Sequence, residues 1–568
     1  MPKTLLVSIN AKFIHSNLAI RSIKAYTQKH LPLTVDLAEF TINQSLDVIM
    51  REIYKVNPDV IGFSCYIWNY EYVKQLVCEF KKLLPNCMIM LGGPEVSYNP
   101  DEVILKTGAD IVMVSEGEKT FCDLMEAIST AKPYTDVPGI VYQSEGKIIV
   151  NEPAVLLNLG DIPFVYGNDF SNLNHRIVYY ESSRGCPFKC QYCLSSGTGG
   201  VRFLPLERVF ADLTHFLDAN VRQVKFVDRT FNCDKKYSMA IWHFLSEHDN
   251  GITNFHFEVA AELLDDEMIA YLNTVRKGLF QLEIGVQSTN KETLTAIKRI
   301  TLPEKLTPII KGLQRGKNIH LHLDLIAGLP YENYDRFKNS FNYVHTLSPD
   351  QLQLGFLKLL KGSGLFADKE RYGLKCTNFA PYEVVSTDWL SYGEILRLKM
   401  VEDMVETYYN SGRYMKSIDY LVSLFNQPFD LFEALGDYYE KNNLHLAPHS
   451  KIEYYDILFN FLKQLNRGEI ERFRWLCLYD IYAHEKAKKL PEWLNISCIN
   501  NYKNRFYDFV ENEANRANYF SDYSEFDVKQ IIRLVHFEVF PFHPISGEET
   551  ETILLFRYID NSIIEIKL

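Results

Sequence analysis

Short apolar runs alternate with longer amphipathic segments over the first 130 residues of the chain. The apolar runs predict strands, at Leu5–Ile9, Val35–Phe40, Val60–Cys65, Met88–Leu91 and Ile111–Val114. The amphipathic segments predict helices, at Leu18–His30, Leu46–Lys55, Tyr72–Leu84 and from Thr120 onward. Strand–helix repetition of this kind is typical of a doubly wound parallel sheet. We therefore expect an α/β, Rossmann-like (flavodoxin-like) domain over residues 1–135.

Polar residues and glycines follow the ends of these predicted strands. Ligands bind doubly wound sheets at the carboxyl ends of the strands, where glycine lets a ligand approach the backbone closely. The residues at these positions are Asn10, Ser64, Gly92, Gly93, Ser115, Glu116 and Gly117. This edge of the sheet is the candidate ligand site of the first domain.

A second series of strands and helices follows a connector. The connector, residues 136–170, carries a predicted hairpin of Gly139–Gln143 and Lys147–Asn151. Between 171 and 365, strands are predicted at Val178–Glu181, Val224–Val227, Phe255–Val259, Leu282–Val286, His320–Ile326 and Gln351–Leu357. Helices are predicted between them, at Leu206–Leu217, Asp266–Arg276 and Glu304–Gln314. Six such units predict a partial (β/α)6 TIM-type barrel, whose chemistry lies at the carboxyl ends of the strands.

The remaining residues, 366–568, are predicted to be mostly α-helical. Apolar residues recur at helical spacing in several segments, at Ile395–Tyr408, Lys416–Phe425, Phe429–Lys441, Lys451–Asn466 and Glu469–Tyr479. Strands are predicted only near the end, at Ile531–Phe540, Thr552–Tyr558 and Ser562–Lys567.

Three cysteines, Cys186, Cys190 and Cys193, occupy one loop with the spacing C-x3-C-x2-C. Three thiolates this close together suit an iron–sulfur cluster or zinc. A zinc site would need a fourth ligand such as histidine, but His175 upstream is the nearest, and none lies within ten residues downstream. The other eight of the eleven cysteines are scattered, which argues against disulfides.

Composition restricts the environment in which this chemistry takes place. The chain is 47% hydrophobic and contains no apolar run of 18 residues, so we expect large cores and no membrane span. Its first residues resemble a strand and not a signal peptide, which predicts a cytoplasmic protein with reduced thiols. A net charge of −12 argues against nucleic acid as a partner.

The cysteine loop resembles that of the radical S-adenosylmethionine (SAM) family. The resemblance rests on the cysteine spacing, on Tyr192 before the last cysteine, and on Gly185 and Pro187 around the first. It implies a 4Fe–4S cluster held by Cys186, Cys190 and Cys193, with one iron left for SAM.

The same resemblance implies a set of SAM contacts on the barrel rim. Family members usually carry a G-G-E-like motif after the second barrel strand, and here the chain reads VKFVDRTFN. By position, the implied SAM-binding residues are Tyr192, Asp228, Arg229, Glu258, Glu283, Gln287, Gly328, Leu329 and Pro330. Alternatively, Glu258 and Glu283 are ion partners inside the barrel, because a buried carboxylate needs a partner.

The first domain resembles the cobalamin-binding domain that precedes some radical SAM barrels. The matching features are the strand order, LGGPEVS after the fourth strand and VSEGE after the fifth. The D-x-H-x-x-G motif that supplies histidine to cobalt is absent from the sequence, so the resemblance implies cobalamin without a histidine on cobalt. It assigns cobalamin to the sheet edge described above, with Trp68 near the lower face. A flavodoxin-like FMN domain, or one kept only for structure, is the alternative.

Together the two resemblances imply a cobalamin-dependent radical SAM enzyme that cleaves SAM reductively and methylates an unactivated carbon. The alternatives are a cyclase or ring-rearranging enzyme, a methylthiotransferase, and a non-catalytic cluster or cobalamin sensor. The implied partners are a small-molecule or peptide substrate and a flavodoxin- or ferredoxin-type electron donor. The last segment resembles a domain of unknown function that accompanies such proteins, and we expect it to cap the barrel or hold the substrate.

Overall fold

A computed structural model describes residues 2–566, except for residues 168–169, 171–172, 174, 198–199, 301–302, 488 and 497–501. The chain divides into two compact units: Met1–Pro349 with Leu354–Ile395, and Asp350–Gln353 with Leu396–Leu568. The last predicted strand was expected to reach Lys567, which lies outside the described residues.

The first unit begins with a seven-stranded sheet. Its strands are β1 (Thr4–Asn10), β2 (Val35–Thr41), β3 (Val60–Ser64), β4 (Met88–Gly92), β5 (Ile111–Met113), β6 (Ile140–Ser144) and β7 (Lys147–Val150). The sheet order is β2-β1-β3-β4-β5-β6-β7, and the first five strands pair in parallel. This order confirms the predicted flavodoxin-like arrangement, in which the chain reverses direction across the sheet between β1 and β3.

Helices cover both faces of this sheet. They are α1 (Leu18–His30), α2 (Leu46–Val56), α3 (Tyr70–Leu83), α4 (Pro100–Thr107) and α5 (Glu118–Ser129). The apolar residues of the strands accordingly form two cores, one on each face. Burial on both faces explains why β1 and β3 are continuous apolar runs and not alternating ones.

The hairpin predicted within the connector is part of the sheet. β6 pairs antiparallel with β5, and β7 pairs antiparallel with β6. The sheet therefore continues through Val150, beyond the predicted end of the first domain. Local sequence identifies a hairpin, but it does not show which strand the hairpin pairs with.

The predicted partial barrel follows the first sheet along the chain. Its strands are β8 (Val178–Tyr180), β9 (Ser183–Gly185), β10 (Val201–Phe203), β11 (Gln223–Phe226), β12 (Asn254–Glu258), β13 (Phe280–Gln287), β14 (His320–Ala327) and β15 (Gln351–Phe356). Six of them form one sheet in the order β15-β14-β13-β12-β11-β8, while β9 and β10 form a separate antiparallel pair. The six-stranded sheet confirms the predicted barrel type.

Helices follow most of these strands. They are α6 (Leu206–Asp218), α7 (Lys235–Glu247), α8 (Asp266–Leu272), α9 (Lys291–Ala296), α10 (Pro303–Gln314), α11 (Tyr334–Thr346) and α12 (Gly364–Ala367). Two short strands, β16 (Lys375–Cys376) and β17 (Val384–Ser386), complete the unit.

The C-terminal region is mostly helical, as predicted. Its helices are α13 (Tyr392–Val405), a π-helix (Glu406–Asn410), α14 (Met415–Ser423), α15 (Pro428–Lys441), α16 (Lys451–Leu465), α17 (Ile470–His484), α18 (Tyr502–Glu511), α19 (Glu513–Tyr519) and α20 (Val528–Leu534). They are followed by an antiparallel sheet of β18 (Val535–Phe540), β19 (Thr552–Arg557) and β20 (Ser562–Ile566). No helix within the described ranges is long and apolar enough to cross a bilayer.

Candidate functional site

The cysteine loop leaves the barrel after β8 and is closed at its base by the β9–β10 pair. Cys190 is buried, Cys186 and Cys193 are half-buried, and none of the three forms a disulfide within the described residues. Gly185 has φ +111°, and a Cβ at this position would lie 2.0 Å from the carbonyl oxygen of Gly200. Only glycine therefore allows the base of the loop to close in this conformation.

Polar groups lie beside two of the three thiols. The Nη1 of Arg299 donates to the Sγ of Cys190 at 3.8 Å, and the hydroxyl of Thr230 lies 3.5 Å from the Sγ of Cys186. Three free thiols in one loop, with a cation beside them, fit a 4Fe–4S cluster that keeps one iron open. Arg299 follows α9, more than 100 residues from the loop, and no local pattern in the sequence indicated its role.

Asp228 is buried beneath the start of the cysteine loop. Its carboxylate accepts hydrogen bonds from the amide and the hydroxyl of Ser182, at 3.0 and 2.6 Å, and from the hydroxyl of Ser183 at 2.5 Å. Burial raises its pKa to about 6, although the serine hydrogen bonds oppose this. The end of β11 is thus tied to the loop, and the contact of Asp228 with the SAM amino group stays a prediction.

Arg229, the next residue, is exposed and has electrostatic contact with two groups. Burial raises the pKa of Tyr66 to about 12 and that of Glu258 to about 7, and the charge of Arg229 acts against both shifts. Tyr66 belongs to the loop after β3, whereas Glu258 ends β12. Arg229 therefore lies within electrostatic reach of both the first sheet and the barrel.

The two predicted glutamates have different surroundings inside the barrel. Glu283 accepts a hydrogen bond from the ammonium of Lys225 at 2.9 Å and lies 3.0 Å from the Nε2 of His256. Burial raises the pKa of Glu283, but His256 and Lys225 outweigh burial and hold it at about 2. Among the described residues, no cation lies at hydrogen-bond distance from Glu258, and burial and the charge of Glu283 raise its pKa. Glu283 is thus an ion partner, and its predicted contact with SAM stays untested.

Gln287 ends β13 in a conformation that is uncommon for a residue with a side chain. Its φ is +68°, and the pairing of β13 with β14 shifts register between Gly285 and Gln287. Its Oε1 is buried and has no hydrogen-bond partner among the described residues. Strained residues with unsatisfied polar groups occur often at ligand sites, which agrees with the predicted contact of Gln287 with SAM.

The segment after β14 is tightly packed. Gly328 has φ +90°, and both Leu329 and Pro330 are buried. The hydroxyl of Thr293 donates to the carbonyl of Pro330 at 2.8 Å. Burial also raises the pKa of Tyr192. Contacts of these residues with adenine stay predictions.

The ligand edge of the first sheet is built around β1 and β3, where the chain reverses direction across the sheet. The ring of Trp68 stacks on that of Tyr66, with centroids 4.4 Å apart and an angle of 7°, and its indole donates to the carbonyl of Ile9 at 3.1 Å. Asn69 donates to the carbonyls of both Ile9 and Ser64, at 3.0 and 2.9 Å. These bonds connect the ends of β1 and β3, and Trp68 remains 42% exposed.

Two of the predicted polar residues at this edge are engaged within the protein. The amide of Asn10 donates to the carbonyl of His15 and to the carboxylate of Glu39, both at 3.1 Å. The hydroxyl of Ser64 accepts from the amide of Asn17 at 3.3 Å. They shape the edge, and their contact with cobalamin stays a prediction.

The glycines of this edge bring backbone segments close together. Gly93 has φ +115°, and a Cβ there would lie 2.5 Å from the carbonyl oxygen of Cys65. A Cβ at Gly92 would lie 3.1 Å from Met113, and one at Gly117 would lie 3.2 Å from Ile23. Ser115 is exposed and has φ +73°. An exposed aromatic ring beside bare backbone fits a broad planar ligand such as cobalamin.

A buried ion cluster joins the first sheet to the cysteine loop. Arg184, two residues before Cys186, pairs with Glu116 at 3.1 Å, with Glu118 at 2.8 Å and with Glu181 at 2.7 Å. Arg202 on β10 also pairs with Glu116. Glu116 was predicted to bind cobalamin, and the structure places its carboxylate between these two arginines. The sequence did not identify Arg184, since its partners at the sheet edge, Glu116 and Glu118, lie more than 60 residues away.

Three family models match this chain, each inside one of the predicted domains. The model of the B12 binding domain matches residues 4–125, that of the radical SAM superfamily matches 180–344, and that of a protein of unknown function (DUF4080) matches 370–556. The first two imply cobalamin, a 4Fe–4S cluster and SAM as cofactors. The domain boundaries themselves stay predictions.

The chain is also similar to individual proteins. It is 26% identical over 346 residues to the cobalamin-dependent radical SAM methyltransferase TokK of Streptomyces tokunonensis, covering 56% of this chain and 50% of that protein. It is 25% identical over 258 residues to the anaerobic magnesium-protoporphyrin IX monomethyl ester cyclase of Synechocystis sp., covering 42% of this chain and 50% of that protein. Each match thus spans half the length of the relative.

Among solved structures, the chain is similar to the cobalamin-dependent S-adenosylmethionine radical enzyme OxsB with aqua-cobalamin and S-adenosylmethionine bound. The TM-score is 0.59 at 16% identity, and the match covers 84% of this chain and 79% of that chain. This likeness supports the fold assigned above. The chain thus carries a B12-binding domain, a radical SAM domain and a C-terminal domain of the DUF4080 family, over the residues that the three family models match.

Proposed function

We propose that this protein is a cobalamin-dependent radical SAM methyltransferase that acts on an unactivated carbon. The observation that carries the proposal is the connection between the cysteine loop and the ligand edge of the first sheet. Arg184 of the loop is ion-paired with Glu116 and Glu118, which follow β5 at that edge. The similarity to TokK, whose name describes this activity, supports the same function.

When bound, the cluster and SAM supply a 5'-deoxyadenosyl radical, and cobalamin supplies a methyl group. The residues of the chain bind and orient these groups. Cys186, Cys190 and Cys193 would hold the cluster, with Arg299 compensating its negative charge. On the barrel rim, Gln287 and Glu258 are the polar side chains that we propose to bind SAM. We further propose that the strand ends and helices around the site keep out water, with which the radical would otherwise react.

Trp68 and Gly93 would contact cobalamin at the ligand edge of the first sheet. His15, the histidine that follows β1, bonds through its Nδ1 to the hydroxyl of Tyr179 at 2.7 Å. This contact agrees with the proposal that no histidine of a D-x-H-x-x-G motif binds cobalt.

A cobalamin-dependent cyclase or ring-rearranging enzyme is the second candidate, because the chain is also similar to a protein named as a cyclase. The two functions differ in their products. Methylation consumes a second SAM and yields S-adenosylhomocysteine, whereas ring closure does not.

We further propose a small-molecule or peptide substrate and a flavodoxin- or ferredoxin-type reductant. The ten free cysteines of the described residues support a cytoplasmic location, where thiols stay reduced.

The test is anaerobic reconstitution of the full chain with iron, sulfide and hydroxocobalamin. SAM and a strong reductant are then added, and 5'-deoxyadenosine and S-adenosylhomocysteine are measured. Cys190→Ala is expected to abolish 5'-deoxyadenosine while cobalamin stays bound, because this substitution removes a cluster ligand. Cys78→Ala, at a half-buried free cysteine of the first sheet domain, is the control and is expected to retain both.

Formation of 5'-deoxyadenosine by Cys190→Ala would contradict the cluster assignment. If the wild-type chain makes 5'-deoxyadenosine but no S-adenosylhomocysteine, the cyclase is favoured over the methyltransferase. If it binds both cofactors and makes neither product, the protein is a sensor and not an enzyme.

A further inference from the structure

A second group of potential metal ligands lies inside the barrel, apart from the cysteines. Four neighbouring strands, β11 to β14, each place charged or imidazole side chains at facing positions. The side chains are Lys225, His256, Glu258, Glu283, His322 and Asp324. The strand register explains their proximity, because Lys225 lies opposite His256, Glu258 opposite Glu283, and Glu283 opposite His322.

Three of these residues have the geometry of metal ligands. One ligand atom each from Glu283, His322 and Asp324 lies within 4.8 Å of the other two. The Nε2 of His322 is 3.0 Å from the Oδ1 of Asp324, yet neither atom has a hydrogen-bond partner within the described part of the chain. Both atoms are buried. The two atoms thus lie close together without meeting hydrogen-bond geometry, and a cation bound by both would satisfy these buried polar groups.

His256 adds a further donor to this group. Its Nε2 is 3.0 Å from a carboxylate oxygen of Glu283, and it too lacks a hydrogen-bond partner among the residues described. The side chains of His256 and His322 are each only 8% exposed. Two imidazoles and two carboxylates form a ligand set that zinc and iron(II) prefer and that magnesium and calcium do not.

The charges of the group also favour a divalent cation. Glu258, Glu283 and Asp324 carry three negative charges when ionised, and the ammonium of Lys225 donates a hydrogen bond to Glu283. With His256 and His322 neutral, as metal ligands are, two negative charges remain, which a dication would neutralise. Burying unpaired carboxylates costs several kcal/mol each, so an ion here would stabilise the barrel interior.

We propose that Glu283, His322 and Asp324, with His256 beside them, bind a divalent cation of the zinc or iron(II) class inside the barrel. This site is separate from the cysteine loop and does not rest on the proposed function. Three protein ligands leave a coordination position open for water or for an oxygen of a substrate. The site gives Glu283 a role different from its predicted contact with SAM.

The test separates this site from the cysteines, which also bind zinc. The full chain with Cys186→Ala, Cys190→Ala and Cys193→Ala is equilibrated with Zn2+ by dialysis, and bound metal is measured by mass spectrometry. We expect about one zinc per chain, with a first shell of nitrogen and oxygen and no sulfur in X-ray absorption spectra. A residue that only supports a metal ligand contributes about 10–100-fold to metal affinity. A direct ligand should contribute at least as much, so His322→Gln or Asp324→Asn in this background is expected to weaken zinc affinity at least about tenfold.

His345→Gln is the matched control, because His345 is a buried histidine on α11 of the same barrel domain. It is expected to leave zinc binding unchanged. In case the triple-alanine variant does not fold, zinc is also measured in the reconstituted wild-type protein, in which it is expected in addition to the iron of the cluster. Zinc well below half an equivalent in both preparations, or equal zinc in the His322 and His345 variants, would overturn the proposal. None of these measurements depends on SAM cleavage.

Discussion

Gly93 and Gly108 both have a positive φ, but their surroundings differ. The φ angles are +115° and +73°, and a Cβ at Gly93 would lie 2.5 Å from the carbonyl oxygen of Cys65, whereas nothing lies within 4 Å of one at Gly108. Gly93→Ala must therefore move the backbone between β3 and β4, where we propose that cobalamin binds. We expect it to lower the free energy of unfolding by about 1–3 kcal/mol and to weaken cobalamin binding.

Gly108→Ala is the control that separates the cost of a positive φ from the effect on cobalamin binding. It adds the backbone cost of a positive φ alone, which we expect to be about 1 kcal/mol, and it leaves the affinity for hydroxocobalamin unchanged. Affinity is measured by absorbance titration and stability by thermal unfolding. If Gly93→Ala binds cobalamin as tightly as the Gly108 variant, this edge of the sheet does not contact the cofactor.

Individual side chains show how far the sequence determines the site. The three cysteines and Trp68 were predicted from local sequence, since their chemistry needs only spacing or position in a loop. Asp228 and Glu116 were predicted as polar residues at strand ends, and the ligand contacts of all six residues stay predictions. The hydrogen bonds of Asp228 and the ion pairs of Glu116 were not predicted, because Ser182 and Arg184 become neighbours only through the tertiary fold.

At the scale of elements, α14 is capped by a residue of another helix. The carboxylate of Asp480, on α17, accepts from the amides of Lys416 and Ser417, at 3.0 and 2.8 Å, and also from the hydroxyl of Ser417. Asparagine keeps only one acceptor oxygen, so Asp480→Asn loses at least one of these buried bonds. We expect it to destabilise the helical unit by about 1–3 kcal/mol.

Thermal unfolding of the full chain measures this effect. Glu471→Gln, on the same helix, is the control, because Glu471 pairs with Arg474 at an exposed position, where an ion pair contributes about 0–1 kcal/mol. Equal effects of the two substitutions would show that Asp480 does not cap α14.

We also expect Asp480 to make the stability of the helical unit depend on pH, in a direction that its pKa defines. Burial raises its pKa from 3.8 to about 7, although the bonds from Ser417 oppose this shift. The folded unit therefore binds this proton more tightly than the unfolded chain does, and stability decreases as the pH rises from about 4 to about 7. Asp480→Asn removes the titrating group, so its unfolding temperature is expected to decrease less over this range than that of the wild type.

Most elements were predicted correctly, and the differences have local causes. The strand predicted at Ile531–Phe540 is helical up to Leu534, because Asp527 and Gln530 form a capping box that starts α20, and its apolar residues run directly into β18. Helix α4 was not predicted, since it has only eight residues and follows a loop rich in polar residues. A short helix gives too few turns for periodicity to be detected.

At the scale of the whole first unit, Arg184 connects the sheet that we propose binds cobalamin to the loop that we propose binds the cluster. Glu118 is 6% exposed in its side chain and also accepts a hydrogen bond from Ser22 at 2.8 Å. Burial raises the pKa of Glu118, but Arg184 outweighs burial and lowers it, so the pair is ionised. Removing one partner of such a pair leaves a buried charge without compensation.

Arg184→Gln is therefore expected to destabilise the first unit by about 3–5 kcal/mol and to reduce the iron bound after reconstitution, because the loop loses its anchor. Adding Glu118→Gln to this variant removes the most deeply buried of the three carboxylates that lose Arg184, so the double variant is expected to regain part of the stability. Its iron content is expected to stay low, since the ion pair to the sheet is still absent. Thermal unfolding and iron analysis measure the two effects separately.

A double variant no more stable than Arg184→Gln would show that Arg184 does not act through Glu118. Full iron content in both variants would show that the cluster does not need the ion pairs between the loop and the sheet.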